Sequence, residues 1–191
     1  MKTDARVRYT RMVIRENFFQ LLKEKPVNKI TVKEICERSG INRATFYKHY
    51  QDPFDLLEKI EEKILSRLQD TLRQKKYKNI KALYTDILVL IKANHEQYEC
   101  IGSPHGDSNF SHRIFMTCYQ QTFPLIAGQF SHLNQAQQNM LYYFISQGCS
   151  GMVQYWMEHE MQQPPEEIAA FIEETIYAVT KHYKKISAPS N

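Results

Sequence analysis

The sequence has no long apolar run and no closely spaced cysteines. Its longest aliphatic run, Ile87–Ile91, is far shorter than the roughly 20 residues that a membrane-spanning helix needs. The spacings of the histidines at residues 95, 105 and 112 match no standard metal-ligand motif. We therefore expect no membrane partner, no metal site and no cofactor. Reduced thiols are expected at the four cysteines, which form no C-x-x-C pair: Cys36, Cys100, Cys118 and Cys149.

Motifs that carry enzyme chemistry are also missing. The sequence contains no P-loop, no dinucleotide-binding glycine motif and no nucleophile elbow. It shows no arrangement of paired carboxylates that would suggest acid and base catalysis. We therefore expect that the protein is not an enzyme.

Charge is distributed unevenly along the chain. Residues 1–50 hold 12 Lys and Arg against 5 Asp and Glu, whereas the remainder holds 13 against 16. A basic N-terminal part on a slightly acidic body is typical of a protein that binds a polyanion. The alternative is a small basic domain whose charge serves only solubility. Because no signal-peptide pattern precedes this region, we expect a cytoplasmic protein.

The stretch from residue 31 to residue 50 predicts two short helices joined by a tight turn. Thr31 is a good N-cap, and Glu34 completes a capping box three residues later. Gly40 ends the first helix because glycine tolerates the left-handed conformation common at helix C-termini. Asn42 caps the second helix, which we expect to run to about Tyr50. This is the pattern of a helix-turn-helix unit.

The second of these helices has an outward face without any carboxylate. Phe46 and Tyr50 lie one turn apart and are predicted to point into the core. The residues expected to face away from them are small, hydroxylated or basic, which suits the major groove of DNA. The alternative is a helical hairpin with a solvated polar face. The outward and flanking residues are Arg43, Ala44, Thr45, Tyr47, Lys48 and His49.

The first 55 residues or so resemble the DNA-binding domain of TetR/AcrR-type bacterial transcriptional regulators. The resemblance rests on Thr31, on the turn Gly40-Ile41 and on the run Thr45-Phe46-Tyr47-Lys48-His49-Tyr50. It implies an all-α fold. Residues 1–55 would form a three-helix DNA-binding domain, residues 56–186 a helical domain for ligand binding and dimerisation, and residues 187–191 a disordered tail.

The resemblance also implies which residues contact DNA. Arg43, Thr45 and Lys48 are expected nearest the bases, whereas Thr31, Tyr47 and His49 are expected at phosphates. The full predicted set is Lys29, Thr31, Asn42, Arg43, Ala44, Thr45, Tyr47, Lys48 and His49. The chain departs from the family at the start of the fourth helix, where a lysine that can contact a phosphate is common. Here the sequence is Asp52-Pro53-Phe54-Asp55.

The first helix offers further basic residues. Residues 1–8 are expected to be a frayed basic arm, followed by a helix to about Lys25 that Pro26 ends. Arg11 and Arg15 lie one turn apart on it. They could contact phosphates or simply be solvated, and the sequence leaves both readings open.

The middle of the chain is less regular. Residues 95–109 are predicted to be a loop, because Gly102, Pro104 and Gly106 interrupt any helical pattern. The aromatic stretch that follows is typical of a ligand pocket, and equally of an ordinary helical core. The candidate ligand-binding residues are Phe110, Arg113, Met116, Tyr119 and Phe123.

The last two predicted helices carry wide apolar stripes, over residues 135–160 and again after Pro164-Pro165. Such stripes can bury more than the core of one protomer needs, and Gly148 and Gly151 would allow a neighbouring helix to come close. We interpret the pair as the subunit interface of a homodimer; the alternative is one closed bundle. The predicted interface residues are Phe144, Gly148, Met152, Trp156, Ile172, Ile176 and Val179.

These observations favour a homodimeric transcriptional regulator that reads a pseudo-palindromic operator on double-stranded DNA. The family resemblance implies that a repressor is the usual case, with affinity for DNA controlled by a small molecule in the C-terminal domain. The alternatives are a protein-interaction module and a partner-controlled activator, each with a degenerate DNA-binding head. The altered start of the fourth helix supports these alternatives.

Overall fold

A computed structural model describes residues 2–102, 105 and 110–186. Over this part of the chain the regular structure is helical, which confirms the predicted all-α class. The α-helices are α1 (Lys2–Glu24), α2 (Val32–Ser39), α3 (Arg43–Tyr47), α4 (Pro53–Arg73), α5 (Ile80–Ala93), α6 (His95–Gly102), α7 (Phe110–Ile126), α8 (Gln135–Glu158) and α9 (Pro165–Ile186). Short 3₁₀ helices occur at Val27–Lys29 and Ala127–Gln129. The predicted disordered tail, residues 187–191, lies outside the described residues.

By packing, the chain forms two units. The first combines the residues up to Ser66 with Glu96–Ser111, and the second combines Arg67–His95 with the residues from His112 onward. The predicted functional division at residue 55 stays a prediction. The packing adds to it that α6, which is distant in sequence, lies with the N-terminal helices.

The first unit is built around the helix-turn-helix pair. α1 packs against α2, and α2 packs against α3. Among the residues of α1, Ile14, Phe18 and Leu22 are fully buried. α1 is already helical from Lys2, so the expected frayed arm through residue 8 is wrong. Between residues 2 and 24 this helix contains neither proline nor glycine, and therefore nothing stops it from extending towards the N-terminus.

α6 corrects a second expectation, since residues 95–102 are helical and not part of a loop. The helix breakers that suggested a loop all lie at or after residue 102, so nothing prevents the preceding residues from forming a helix. Cys100 and Ile101 are buried against the first unit, and the Cys100 thiol lies 3.9 Å from the Phe19 carbonyl. His105 continues this contact, because its Nδ1 lies 2.9 Å from the Leu22 carbonyl oxygen.

The second unit has its core between α5 and α9, which pack along each other. Leu83 and Leu88 of α5 and Ile172 of α9 are completely buried. Tyr84 of α5 is half-buried at this core, and burial raises the pKa of its hydroxyl well above the usual value.

The turn from α8 to α9 contains two strained residues. Glu160 and Met161 have φ angles of 59° and 49°, in the left-handed region that residues other than glycine rarely adopt. The Met161 carbonyl accepts a hydrogen bond from Lys92 Nζ at 3.3 Å, and the Trp156 indole donates to the Gln163 carbonyl at 3.0 Å. These two bonds hold the backbone in the turn.

The described residues contain no helix that is long and apolar enough to cross a membrane. Within the same ranges, no group of three or more His, Cys, Asp and Glu side chains is placed to hold a metal ion. The four cysteines are free thiols.

Gly40 provides a test of the turn between α2 and α3. Its φ is +63°, and a Cβ added there would meet no atom within 4 Å. Gly40→Ala should therefore lower the free energy of unfolding by about 1–2 kcal/mol through backbone strain alone. Urea unfolding measures the change. Gly128→Ala is the control, because Gly128 is equally open without the left-handed φ. Equal effects of the two substitutions would contradict this explanation.

Candidate nucleic-acid interface

The entry to α2 is held by the predicted capping box. The backbone N–H of Glu34 donates to Thr31 Oγ1 at 3.3 Å, and the N–H of Thr31 donates to Glu34 Oε2 at 3.0 Å. Lys25 Nζ adds an ion pair to Glu34 Oε1 at 2.5 Å. The hydrogen bond from Lys25, followed by those from Thr31, lowers the pKa of Glu34 to about 2. The carboxylate thus ties the end of α1 to the start of α2.

The turn and the second cap also match the prediction. Gly40 adopts the left-handed conformation at the C-cap of α2, and its N–H bonds back to the Cys36 and Glu37 carbonyls. Asn42 caps α3 by accepting a hydrogen bond from the Thr45 N–H at 2.7 Å. The short connection between these two caps limits the angles at which α3 can leave α2.

Side-chain burial sets the rotation of α3. Phe46 is fully buried and Tyr50 is 6% exposed, whereas Tyr47 is 57% exposed. Asn42, Arg43, Ala44 and Lys48 are exposed, and Thr45 and His49 are half-buried. α3 ends at Tyr47, three residues before the predicted end, although the Tyr50 N–H still bonds to the Phe46 carbonyl at 3.0 Å. The side chains predicted to face DNA therefore lie at the surface of the first unit.

Two groups can be distinguished among the cations of the first unit, although they do not include every one. Lys25, Arg38 and Lys59 are paired with Glu34, Glu24 and Asp55, at 2.5, 2.7 and 2.9 Å respectively. The second group has no carboxylate within ion-pair distance among the described residues: Arg11, Arg15, Lys29, Arg43 and Lys48. The first group stabilises the fold locally. The second leaves positive charge available to an external anion.

Two of the predicted DNA contacts lie where α2 begins. Lys29 is exposed at the end of a 3₁₀ helix, just before the capping box. Thr31 is also exposed, but its hydroxyl already donates to Glu34 Oε2 at 2.8 Å and accepts from the Glu34 N–H. That Lys29, Thr31 and the other residues of the predicted set contact DNA stays a prediction.

The start of α4 is closed by carboxylates. Asp52 Oδ1 accepts hydrogen bonds from the N–H groups of Phe54 and Asp55 at 2.8 and 2.9 Å. Asp55 Oδ2 accepts from the Gln51 N–H at 2.8 Å and from Lys59 Nζ at 2.9 Å. An unoccupied helix N-terminus attracts anions, but here the protein's own anions occupy it. The N–H groups at the start of α4 are therefore already bonded within the protein, where the family often has a lysine instead of Asp52-Pro53-Phe54-Asp55.

The predicted ligand-binding residues take several different positions. Phe110 is buried in the first unit, where its ring lies 6.5 Å from that of Tyr98. In the second unit, Tyr119 and Phe123 stack at 5.0 Å as part of an aromatic cluster, and Arg113 is half-buried. Met116 is exposed and borders a groove of about 280 Å³. The other residues along the groove are Gln69, Leu72, Arg73, Thr117 and Gln121.

The predicted interface residues divide into exposed and buried sets. Phe144 is 66% exposed, Gly148 is exposed, and Met152 and Val179 are half-buried. Trp156, Ile172 and Ile176 are at most 3% exposed, so they pack inside the protomer and present no surface to a partner. Their apolar spacing could not distinguish a core stripe from an interface stripe. Sequence reasoning missed Tyr143 and Tyr155, which are 53% and 63% exposed on α8.

Comparison with known families agrees with this geometry. Residues 19–60 match the family described as bacterial regulatory proteins, tetR family, and residues 78–178 match one described as transcriptional regulator C-terminal region. Both matched families are families of transcriptional regulators, so the matches identify a helix-turn-helix transcriptional regulator. The second match alone covers more than half of the chain. The chain belongs to the TetR family.

Individual relatives are distant. YxbF of Bacillus subtilis (strain 168), an uncharacterized HTH-type transcriptional regulator, is 23% identical over 172 residues. The match covers 85% of this chain but only 43% of YxbF, so the chain spans less than half the length of that relative.

Two solved structures show the shared fold. The dihydroxyacetone kinase operon activator DhaS is 19% identical with a TM-score of 0.60, and the match covers 91% of this chain and 97% of DhaS. The fatty acid degradation regulator FadR from Bacillus halodurans is 14% identical with a TM-score of 0.62, covering 87% and 94%. At these identities the likeness concerns the fold alone.

The Glu34 carboxylate gives a pH-dependent test of the α1–α2 junction. Because its pKa is lowered in the folded state, its contribution to stability is complete above about pH 4.5 and is lost as the pH falls towards 2. Glu34→Gln keeps a capping side chain but removes the charge, and should flatten this part of the stability–pH curve. Urea unfolding from pH 7 to pH 2.5 measures it. Glu37→Gln, at an exposed pair 3.7 Å from Lys33, should retain the wild-type curve.

Proposed function

We propose that the protein is a homodimeric regulator that reads a pseudo-palindromic operator by placing α3 of each protomer in the major groove. One observation carries the proposal: the exposed face of α3 has no carboxylate, and Arg43 and Lys48 on it have no ion-pair partner among the described residues. A solvated face that served only the fold would be expected to mix both signs of charge. Operation on chromosomal DNA would place the protein in the cytoplasm.

Dimerisation is supported by the surface of α8. Glu158 is the only charged residue of this 24-residue helix. Met140, Phe144 and Tyr155 are 65%, 66% and 63% exposed on one side, at spacings of four and eleven residues. An exposed, uncharged helical stripe of this length is typical of a surface that a partner covers. We infer that the partner is α8 of a second copy, as is usual in the family.

Glycines on the same stripe strengthen this inference. Gly148 and Gly151 are exposed, and a Cβ at either would meet no atom of the protomer within 4 Å. Within the protomer they only weaken α8, since a glycine in a helix costs about 0.5–1 kcal/mol relative to alanine. Close approach of a second helix gives them a role, because small residues let two helix backbones come near each other.

The control of DNA binding has two candidate forms. The groove beside Met116 offers amide, hydroxyl and guanidinium groups to a small molecule, and we propose repression relieved by such an effector as the usual case for the family. A partner-controlled activator with a weaker DNA-binding head is the second candidate, favoured by the closed start of α4. The related structure of DhaS is that of a protein named as an activator.

The proposal predicts the effect of removing the cations of α3. Arg43→Ala and Lys48→Ala should each weaken binding to the preferred duplex by about 1–3 kcal/mol without unfolding the protein. Fluorescence anisotropy measures the affinity for DNA fragments from the region upstream of the protein's gene, at several salt concentrations. The wild-type slope of log affinity against log salt should be steep and negative.

Lys78→Ala is the matched control, because Lys78 is equally exposed but belongs to the second unit. It should leave affinity close to wild type. Unchanged affinity in both α3 variants would show that this face does not contact DNA. Absence of any salt response would favour a protein-interaction module.

The dimer proposal predicts that replacing a glycine of α8 with alanine stabilises an isolated protomer but weakens the association of two protomers. In an isolated protomer, Gly148→Ala or Gly151→Ala should stabilise α8 by about 0.5–1 kcal/mol. In a dimer packed through this stripe, the added methyl groups should separate the helices and shift the population towards monomer. Sedimentation velocity across the micromolar range distinguishes the two, with Ser150→Ala as the control away from the stripe. Variants that melt higher and associate like wild type would rule out this interface.

A further inference from the structure

The neighbourhood of His49 combines positive charge with an unsatisfied polar atom. His49 Nδ1 is shielded from solvent and has no hydrogen-bond partner among the described residues. The Nε atom of Arg15 on α1 is in the same situation. Buried polar atoms are usually hydrogen-bonded, so unsatisfied ones often mark a site that a ligand completes. Both residues belong to the first unit, and His49 follows the end of α3.

Among the described residues, the charges that act on the His49 ring are both positive. The charge of Arg11 acts on it from α1, and Lys48 precedes it in the chain. The ring of Tyr50 lies 6.2 Å from the His49 ring, and Lys59 of α4 donates to the His49 carbonyl at 3.2 Å. Of the cations, Lys59 alone is neutralised, by Asp55. The site therefore carries uncompensated positive charge.

We propose that Arg11 of α1 joins Lys48 and His49 in binding one phosphate of the DNA backbone, and that His49 takes up a proton from solvent when the duplex docks. The proposal rests on the proposed DNA-binding function and adds to it a contact from α1 and a dependence on pH. It also answers where a backbone contact lies in this chain, since carboxylates close the start of α4.

The proton uptake follows from simple electrostatics. In the free protein, burial and then the charges of Arg11 and Lys48 lower the pKa of His49. A phosphate bound beside the ring brings negative charge that offsets these cations and favours the imidazolium form. A group with a higher pKa in the complex binds more protons there, so affinity must rise as the pH falls. Each unit by which the pKa of His49 rises on binding can strengthen DNA binding at low pH by at most tenfold.

The salt dependence gives a separate readout. Each phosphate neutralised by a protein cation contributes about −0.9 to the slope of log affinity against log salt. Arg11→Gln should therefore make the slope less negative by up to about 0.9. The loss of affinity should be similar for specific and random duplexes. A residue that only supported the fold would change the affinity without changing this slope.

The test uses the full chain and a random-sequence duplex of about two helical turns. Fluorescence anisotropy is recorded from pH 8.0 to pH 5.5 and at several salt concentrations for wild type, Arg11→Gln and His49→Gln. We expect wild-type affinity to rise up to about tenfold towards pH 5.5. His49→Gln should remove this rise and Arg11→Gln should reduce the salt slope. Lys23→Gln, twelve residues and roughly 18 Å further along α1, should do neither.

The outcomes separate this inference from the proposed function. Steep salt-dependent binding that is independent of pH, or a wild-type slope in Arg11→Gln, overturns the phosphate site while DNA binding stands. No binding to any duplex at low salt overturns both. Because Arg11 is exposed, Arg11→Gln should retain the wild-type circular dichroism spectrum and melting temperature. His49→Ala serves as a second variant should His49→Gln unfold.

Discussion

The burial of Phe46 is the constraint on which the proposed DNA-binding face depends. α3 has only five residues, and an isolated helix of that length is not stable in water. Its orientation comes from the Asn42 cap at one end and from the packing of Phe46 and Tyr50 against the helices around them. Since successive residues of a helix differ by about 100° in direction, a rotation by one residue would bring Tyr47 or Thr45 inward. The exposed set is thus a consequence of one buried ring.

Electrostatics divides the first unit into a neutralised part and an uncompensated part. Ion pairs from Lys25 and Arg38 join α1 to α2 on the side where these helices meet. Around α3, Arg43 and Lys48 lack such partners among the described residues. Surface ion pairs contribute little to stability. These pairs neutralise Lys25 and Arg38, so Arg43 and Lys48 supply uncompensated charge on the proposed DNA-binding face.

The parts of this structure that sequence could predict are those decided within a few residues. The capping box of Thr31, the left-handed turn at Gly40 and the inward direction of Phe46 depend on neighbours no more than one helical turn away. The burial of Trp156 could not be predicted from its neighbours in sequence, because an apolar stripe has the same spacing in a core and at an interface. Tertiary packing decided that it is core. The neighbourhood of Arg11 and His49 joins residues far apart in the chain, which no local pattern could reveal.

α6 shows the same limit from the opposite direction. The breakers at Gly102, Pro104 and Gly106 predict where a helix should not continue, but they say nothing about the residues before them. Ile101 is completely buried in the first unit, so this helix is stabilised by packing as well as by its own propensity.

The carboxylates at the start of α4 and the cations near His49 belong to one argument about where the DNA backbone is held. Asp52 caps α4 well, and a good cap consumes the N–H groups that would otherwise bind a phosphate. Stability of that helix is therefore obtained at the expense of an anion site. A protein that still binds a duplex must place its backbone contacts elsewhere. Arg11 and His49 are suited to this because the fold leaves their charge and hydrogen-bonding capacity unused.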